Sequence, residues 1–207
     1  MNDLQKPFIS VGMWATAGVL VAVVALLIIW SSMGKHDHAS TEGFLGPEVC
    51  GECHKSQYMS WSQTRMAQTF EVLRPGAKRK EKELAGLDPE MDYTHEEECL
   101  PCHTTGYGLV GGFTSIEETP QHGGVGCEAC HGAGGMYVNT VMSPDRPNFT
   151  TIEAVSRGLV YPPTELVCRK CHNENSPFID MGYIFDFSER VKRGTHEHYE
   201  LTYEHGG

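Results

Sequence analysis

The chain has 207 residues, with 27 acidic side chains against 16 basic ones, a formal charge of −11 and eight cysteines. That acidity argues against nucleic acid and against anionic lipid headgroups as partners, and it suits docking to a basic protein surface. The length allows one or two domains.

The first element is an uncharged run of twenty-three residues from Phe8 to Trp30. It is long enough to cross the hydrocarbon core of a bilayer as a helix. A cleaved export signal is the competing reading, but such signals are shorter and end in a small-x-small site. This run ends in Leu27-Ile28-Ile29-Trp30, and tryptophan suits the membrane interface. We expect residues 1–30 to be an uncleaved single-pass anchor in the cytoplasmic membrane, with the amino terminus inside. Residues 31–47 read as a polar tether in which His36 and His38 are solvated. Residues 48–207 form the remaining domain.

That domain carries Cys-x-x-Cys-His four times. The copies are Cys50-Gly-Glu-Cys53-His54, Cys99-Leu-Pro-Cys102-His103, Cys127-Glu-Ala-Cys130-His131 and Cys168-Arg-Lys-Cys171-His172. This is the attachment signature of c-type haem: two thiols add across the porphyrin vinyl groups and the next histidine lies under the iron. Paired Cys-x-x-Cys knuckles also bind zinc, but zinc does not require histidine directly after the second cysteine. With histidine at about one residue in twenty, four coincidences have a chance on the order of one in a hundred thousand. The cofactor expectation is four covalently bound haem c. All eight cysteines are used, which excludes disulfides and thiol catalysis. Haem attachment takes place outside the cytoplasmic membrane, so the domain is expected on the periplasmic side.

So few residues per haem leave little room for a protein core; the porphyrins must supply it. Lys55 to Leu73 has apolar residues at helical spacing and predicts an amphipathic helix. Ala77 to Leu84 predicts an exposed charged helix. Thr94-His95-Glu96-Glu97 has the capping-box pattern, Gly106 to Gly126 is a glycine-rich loop, and Thr150-Thr151-Ile152-Glu153 starts a helix that Gly158 stops. Pro163-Thr164 opens the turn before the fourth motif, and Phe185 to Tyr203 is the longest late helix candidate. Strand signals are nearly absent. The expected fold is mostly α with extensive irregular loops, packed around four haems.

Besides the four motif histidines there are His36, His38, His95, His122, His196, His198 and His205. Methionine is the other common axial ligand and raises the potential relative to histidine; the domain offers Met59, Met66, Met91, Met136, Met142 and Met181. Composition does not choose among them.

Several stretches resemble the cytochrome c-554 family: Cys53-His54-Lys55, Trp61-Ser62-Gln63-Thr64, Leu87-Asp88-Pro89, Asp92-Tyr93-Thr94, Gly124 to Gly132, Phe185-Asp186-Phe187 and Thr195 to Tyr199. The likeness runs in order from about Glu48 to Leu201 and leaves out the amino-terminal run. It implies a periplasmic tetrahaem carrier of the kind that takes electrons from hydroxylamine oxidoreductase. It also implies three bis-histidine haems and a five-coordinate second one. His196 then matches the distal ligand of the fourth haem. Met66 stands where the family has the distal histidine of the third, and Met142 lies beside the place of the first, with Met136 as fallback. The implied ligands are thus His54, His103, His131, His172, His196, Met66 and Met142. The second haem is either open or capped by Met181, His122 or His95.

The leading functional expectation is a membrane-anchored electron relay rather than an enzyme. Its partners would be redox proteins: a basic donor or acceptor, a cytochrome bc-type complex, a reaction centre or a hydroxylamine oxidoreductase-like enzyme. Two alternatives stay open. One is a quinol dehydrogenase of the tetrahaem nitrite/nitrate reductase anchor type; the other is a nitric oxide reductase at an open second haem.

Overall fold

The structure is a computed structural model and describes residues 43–142, 149–177, 184–193 and 196–201. The run from Phe8 to Trp30, the tether with His36 and His38, and also Met181 and His205 lie outside the described residues. Among the described residues no helix is long and apolar enough to cross a membrane.

The architecture is short helices joined by turns, and the motifs sit where helices end. Helix α1 (Pro47–Cys53) carries motif one, with Pro47 in its first turn, where a missing N–H costs nothing. It leads through His54 into α2 (Lys55–Ser62). After the charged helix α3 (Arg79–Leu84), α4 (Leu100–His103) bears motif two. Motif three is α5 (Cys127–His131), followed by α6 (Gly135–Val141) and α7 (Thr151–Ser156). Helix α8 (Glu165–Cys168) starts motif four, and α9 (Phe187–Arg193) lies beyond it. The β features among the described residues are isolated bridge positions: the antiparallel pair Thr104 and Gly123, and Thr150.

The expected helix from Lys55 to Leu73 is broken. It stops at Ser62, turns, and resumes as a 3-10 turn over Thr69–Leu73. The reason is a competing backbone: Val125 N–H donates to the Met66 carbonyl at 3.0 Å, and Trp61 Nε1 donates to the Val125 carbonyl at 2.9 Å. The opened turn thereby grips the segment that enters motif three.

Helix α3 forms, but Lys82 is not on an exposed face. It is 5% exposed, its Nζ donating to the Arg74 carbonyl at 2.7 Å and lying over the Tyr93 ring. The capping box at Thr94 does not form, because Asp92 takes both the Thr94 N–H (2.9 Å) and its hydroxyl (2.6 Å). The box at Thr150–Glu153 does form, and Gly158 stops α7 with φ of +97°. The late helix is limited to Phe187–Arg193, so His196 and His198 follow it in non-helical chain.

The protein's own apolar core is small: Phe70, Leu73, Tyr93, Leu100 and Phe113. Large apolar side chains elsewhere stand open, among them Val110, Ile152, Leu166 and Ile184, each at least 78% exposed. A chain whose core stops short of its apolar surface in this way fits porphyrins as its missing core.

Candidate haem centres

Each motif histidine is delivered by the last turn of a helix or by the turn that follows it. The His54 N–H closes α1 on the Cys50 carbonyl at 2.8 Å, and the His172 N–H closes on Cys168 at 2.9 Å. Two of the rings are fixed by their Nδ1 atoms: His103 Nδ1 meets the Thr69 carbonyl at 2.7 Å and His131 Nδ1 meets the Val160 carbonyl at 3.1 Å. A histidine whose Nδ1–H is held by a backbone carbonyl has its Nε2 lone pair oriented for a metal, the usual second shell of a histidine ligand. Burial holds both rings below the ordinary histidine pKa, which favours the neutral form that coordinates. His172 is held differently, its ring stacked on Phe185 at 4.3 Å and 11°, with the Arg169 guanidinium over Phe185 as well.

The thiols show how the motifs are arranged. The Cys50 thiol of motif one lies close enough to Cys127 of motif three for the two to perturb each other's ionisation. So do Cys102 of motif two and Cys171 of motif four, where Cys171 Sγ is 3.8 Å from the Pro101 carbonyl inside motif two. Cys130 of motif three feels the charge of Cys168 in motif four. Since each thiol marks a porphyrin edge, the contacts run one–three–four–two.

Motif three is also the fastening point of the domain. The Glu128 carboxylate, 4% exposed, accepts from the N–H groups of Leu45 (2.9 and 3.0 Å), Gly46 (2.8 Å) and Gly134 (2.7 Å). It ties the entry to α1 and the start of α6 onto α5. Just after the motif, Gly132 turns at φ +84°, and a Cβ there would lie 2.5 Å from the Gly158 carbonyl oxygen. That close approach lets His131 and Val160 pair twice, through N–H to carbonyl at 2.8 Å and through the ring.

The distal side differs from what the resemblance implies. His196, implied for haem four, has its ring centroid 6.4 Å from that of His131 in motif three. Two imidazoles on opposite sides of one iron have centroids about 6 Å apart, given metal–nitrogen bonds of about 2.0 Å. His196 Nδ1 is held by the Glu197 carbonyl at 2.9 Å, and the Glu197 N–H is in turn held by Ser60 Oγ at 2.8 Å. His196 is thus the imidazole that lies beside the His131 ring. Met66 is half-buried on the turn that grips Val125, where its carbonyl is engaged.

At motif one the structure brings Tyr137 to His54, with the hydroxyl 3.4 Å from Nε2. Met142, at the end of the same helix, is 68% exposed, and Met136 is 37% exposed. At 100° per residue Met142 points about 140° away from Tyr137 around α6, which is why it misses the face that meets His54. For the second haem, His95 is exposed, and His122 is buried with its ring edge-on to Phe44 and the charges of Glu128 and Glu48 nearby. Those neighbours belong to the motif one and motif three side. The sequence reading missed Tyr137 and Glu128. Tyr137 lay in the window after motif three where a ligand was sought, but a phenol was not considered; Glu128 is an x position of a motif and gives no signal.

The comparisons with known proteins agree with this architecture. The family described as "Cytochrome c554 and c-prime" matches residues 49–132. Cytochrome c-554 of Nitrosomonas europaea is 34% identical over 186 residues, 79% of each chain. The solved structure of reduced cytochrome c554 from that organism superposes with a TM-score of 0.67 at 34% identity, covering 77% of this chain and 88% of that one. A 27-residue stretch is 62% identical to part of the dissimilatory sulfite reductase MccA of Wolinella succinogenes, 13% of this chain and 4% of that protein. The chain belongs to the cytochrome c-554 family.

Proposed function

We propose that this protein is a membrane-anchored periplasmic relay, passing electrons between a membrane redox complex and a soluble or membrane-bound redox partner. As a cytochrome c-554 family member it is an electron carrier with four covalently bound haem c groups. The haems supply one-electron storage. The observation that carries the relay reading is that the motif thiols neighbour one another in the order one–three–four–two, with Cys171 Sγ of motif four 3.8 Å from the Pro101 carbonyl of motif two. His54, His103, His131 and His172 are the proximal ligands, and His196 is the distal partner of His131. The anchor rests on the Phe8–Trp30 run. The acidic surface favours a partner with a basic docking face, with the cytochrome bc-type, reaction-centre and hydroxylamine oxidoreductase-like classes all compatible.

One observation favours a second reading, quinol oxidation. A His131–His196 pair sits lower in potential than the His/Met pair implied by Met66, and low potential suits a quinol oxidiser. Stopped-flow reduction of the membrane-bound protein separates the two. A relay is reduced by a high-potential haem donor and is slow with menaquinol analogues. Fast reduction by the quinol, with saturation, would make it a dehydrogenase.

A further inference from the structure

Helix α6 is tied down at its amino end by two backbone contacts, Gly134 N–H to Glu128 Oε1 at 2.7 Å and Gly135 N–H to the Gly43 carbonyl at 3.0 Å. Two residues later it presents Tyr137. The ring is met edge-on by Phe149, with centroids 6.1 Å apart at 82°, and the hydroxyl lies 3.4 Å from His54 Nε2 in hydrogen-bond geometry. The Cys50 and Cys53 thiols are near enough for their charges to act on the phenol. Nε2 is the nitrogen a motif histidine gives to iron, so a group hydrogen-bonded to it lies on the side the iron takes. Two donors on opposite sides of a metal are about 4 Å apart, with each bond near 2.0–2.2 Å. The observed 3.4 Å is short of that by about 0.6–1.0 Å, so the phenol must move outward by that much to seat the iron.

We propose that Tyr137 is the distal axial donor to the iron of the haem on motif one, with its phenol oxygen across that iron from His54 Nε2. The proposal rests on the tetrahaem reading. Iron on Nε2 would take the place of that hydrogen bond, with the phenol oxygen on its far side as an electron-pair donor. The oxygen bonds the iron as a phenolate, its proton leaves to solvent, and no electron moves. Tyrosine is an established haem ligand in other folds. Neither methionine of α6 competes from this geometry, since Met142 stands on another face of the helix and is 68% exposed, and Met136 is 37% exposed.

The test is resonance Raman spectroscopy of the ferric full-length protein, excited in the phenolate-to-iron charge-transfer region, with intact mass measured on each sample. Wild type should show bands of an iron-bound phenolate. Tyr137→Phe should lose them and bind one cyanide more per molecule than wild type. Tyr137→His should also lose them but restore a six-coordinate low-spin haem without the added cyanide site. Met136→Leu and Met142→Leu should retain the bands. Absence of the bands in wild type carrying four haems, or their persistence in Tyr137→Phe, overturns the proposal. If Tyr137→Phe fails to load the first haem, the wild-type and Tyr137→His spectra still decide it. A wild-type mass with fewer than four haems would instead overturn the tetrahaem reading.

Discussion

Glu128 is where the packing around motifs one and three is most exposed to a single change. Its two oxygens serve three backbone donors at 2.7–3.0 Å, that of buried Gly46 and those of half-buried Leu45 and Gly134. In Glu128→Gln one oxygen becomes an NH2 group. Whichever way the amide sits, that NH2 faces the N–H of either Gly46 or Gly134, donor against donor. One orphaned buried N–H costs about 1–3 kcal/mol, and the bonds that remain lose their charge assistance. The expected loss is therefore about 2–4 kcal/mol for Glu128→Gln. Glu128→Ala, which leaves all three donors without an acceptor, should lose more than Glu128→Gln. Guanidinium unfolding of the haem-loaded protein gives the size, and amide hydrogen exchange gives the place. Exchange should accelerate at Leu45, Gly46 and Gly134, while Tyr93, whose N–H is held by the Leu73 carbonyl at 3.0 Å in the separate core, should hardly change. If Glu128→Gln unfolds within about 0.5 kcal/mol of wild type, or if exchange at Gly134 is unaltered, the carboxylate is not the fastening described.

Three further outcomes are expected. Burial holds His122 below its ordinary pKa, against the opposing pull of Glu128, the Gly111 carbonyl and Glu48. The unfolded chain therefore takes up this proton first as pH falls, and stability should drop as pH goes down through about 6.5, by up to about 1.4 kcal/mol per pH unit. His122→Gln should flatten that slope, and an unchanged slope would show that other groups set it. Lys82→Ala should cost about 1–3 kcal/mol through its lost stem packing and lost bond to the Arg74 carbonyl, while the exposed Lys80→Ala should stay within about 0.5 kcal/mol of wild type; equal effects in thermal melts would refute the inward placement. His196→Ala should convert one low-spin haem to high spin by electron paramagnetic resonance and Met66→Leu should not. The reverse result would return Met66 to the iron.

The parts legible in the sequence were those set by local chemistry. The eight cysteines and four histidines name their own cofactor through spacing alone, and the Thr150–Glu153 box marks a helix because its partners are three residues apart. The parts that were not legible depend on distant backbone. The break after Ser62 exists because Val125, far along the chain, bonds into the turn, and Lys82 turns inward because the carbonyl of Arg74 and the ring of Tyr93 await it. Neither partner can be read from a window around the residue. The distal side has the same limit. The resemblance implies Met66 and Met142 at positions that the family fills with histidine, while the late segment brings His196 near His131 and Tyr137 lies near His54.

A four-haem carrier is defined most directly by the count of electrons it stores and returns. Coulometric titration of the purified full-length chain should take up four electrons per polypeptide and release the same four on reoxidation, with nothing else consumed. The intact mass should exceed the polypeptide by four haems. Fewer than four reversible electrons, or reducing equivalents that do not come back, would contradict a four-haem carrier.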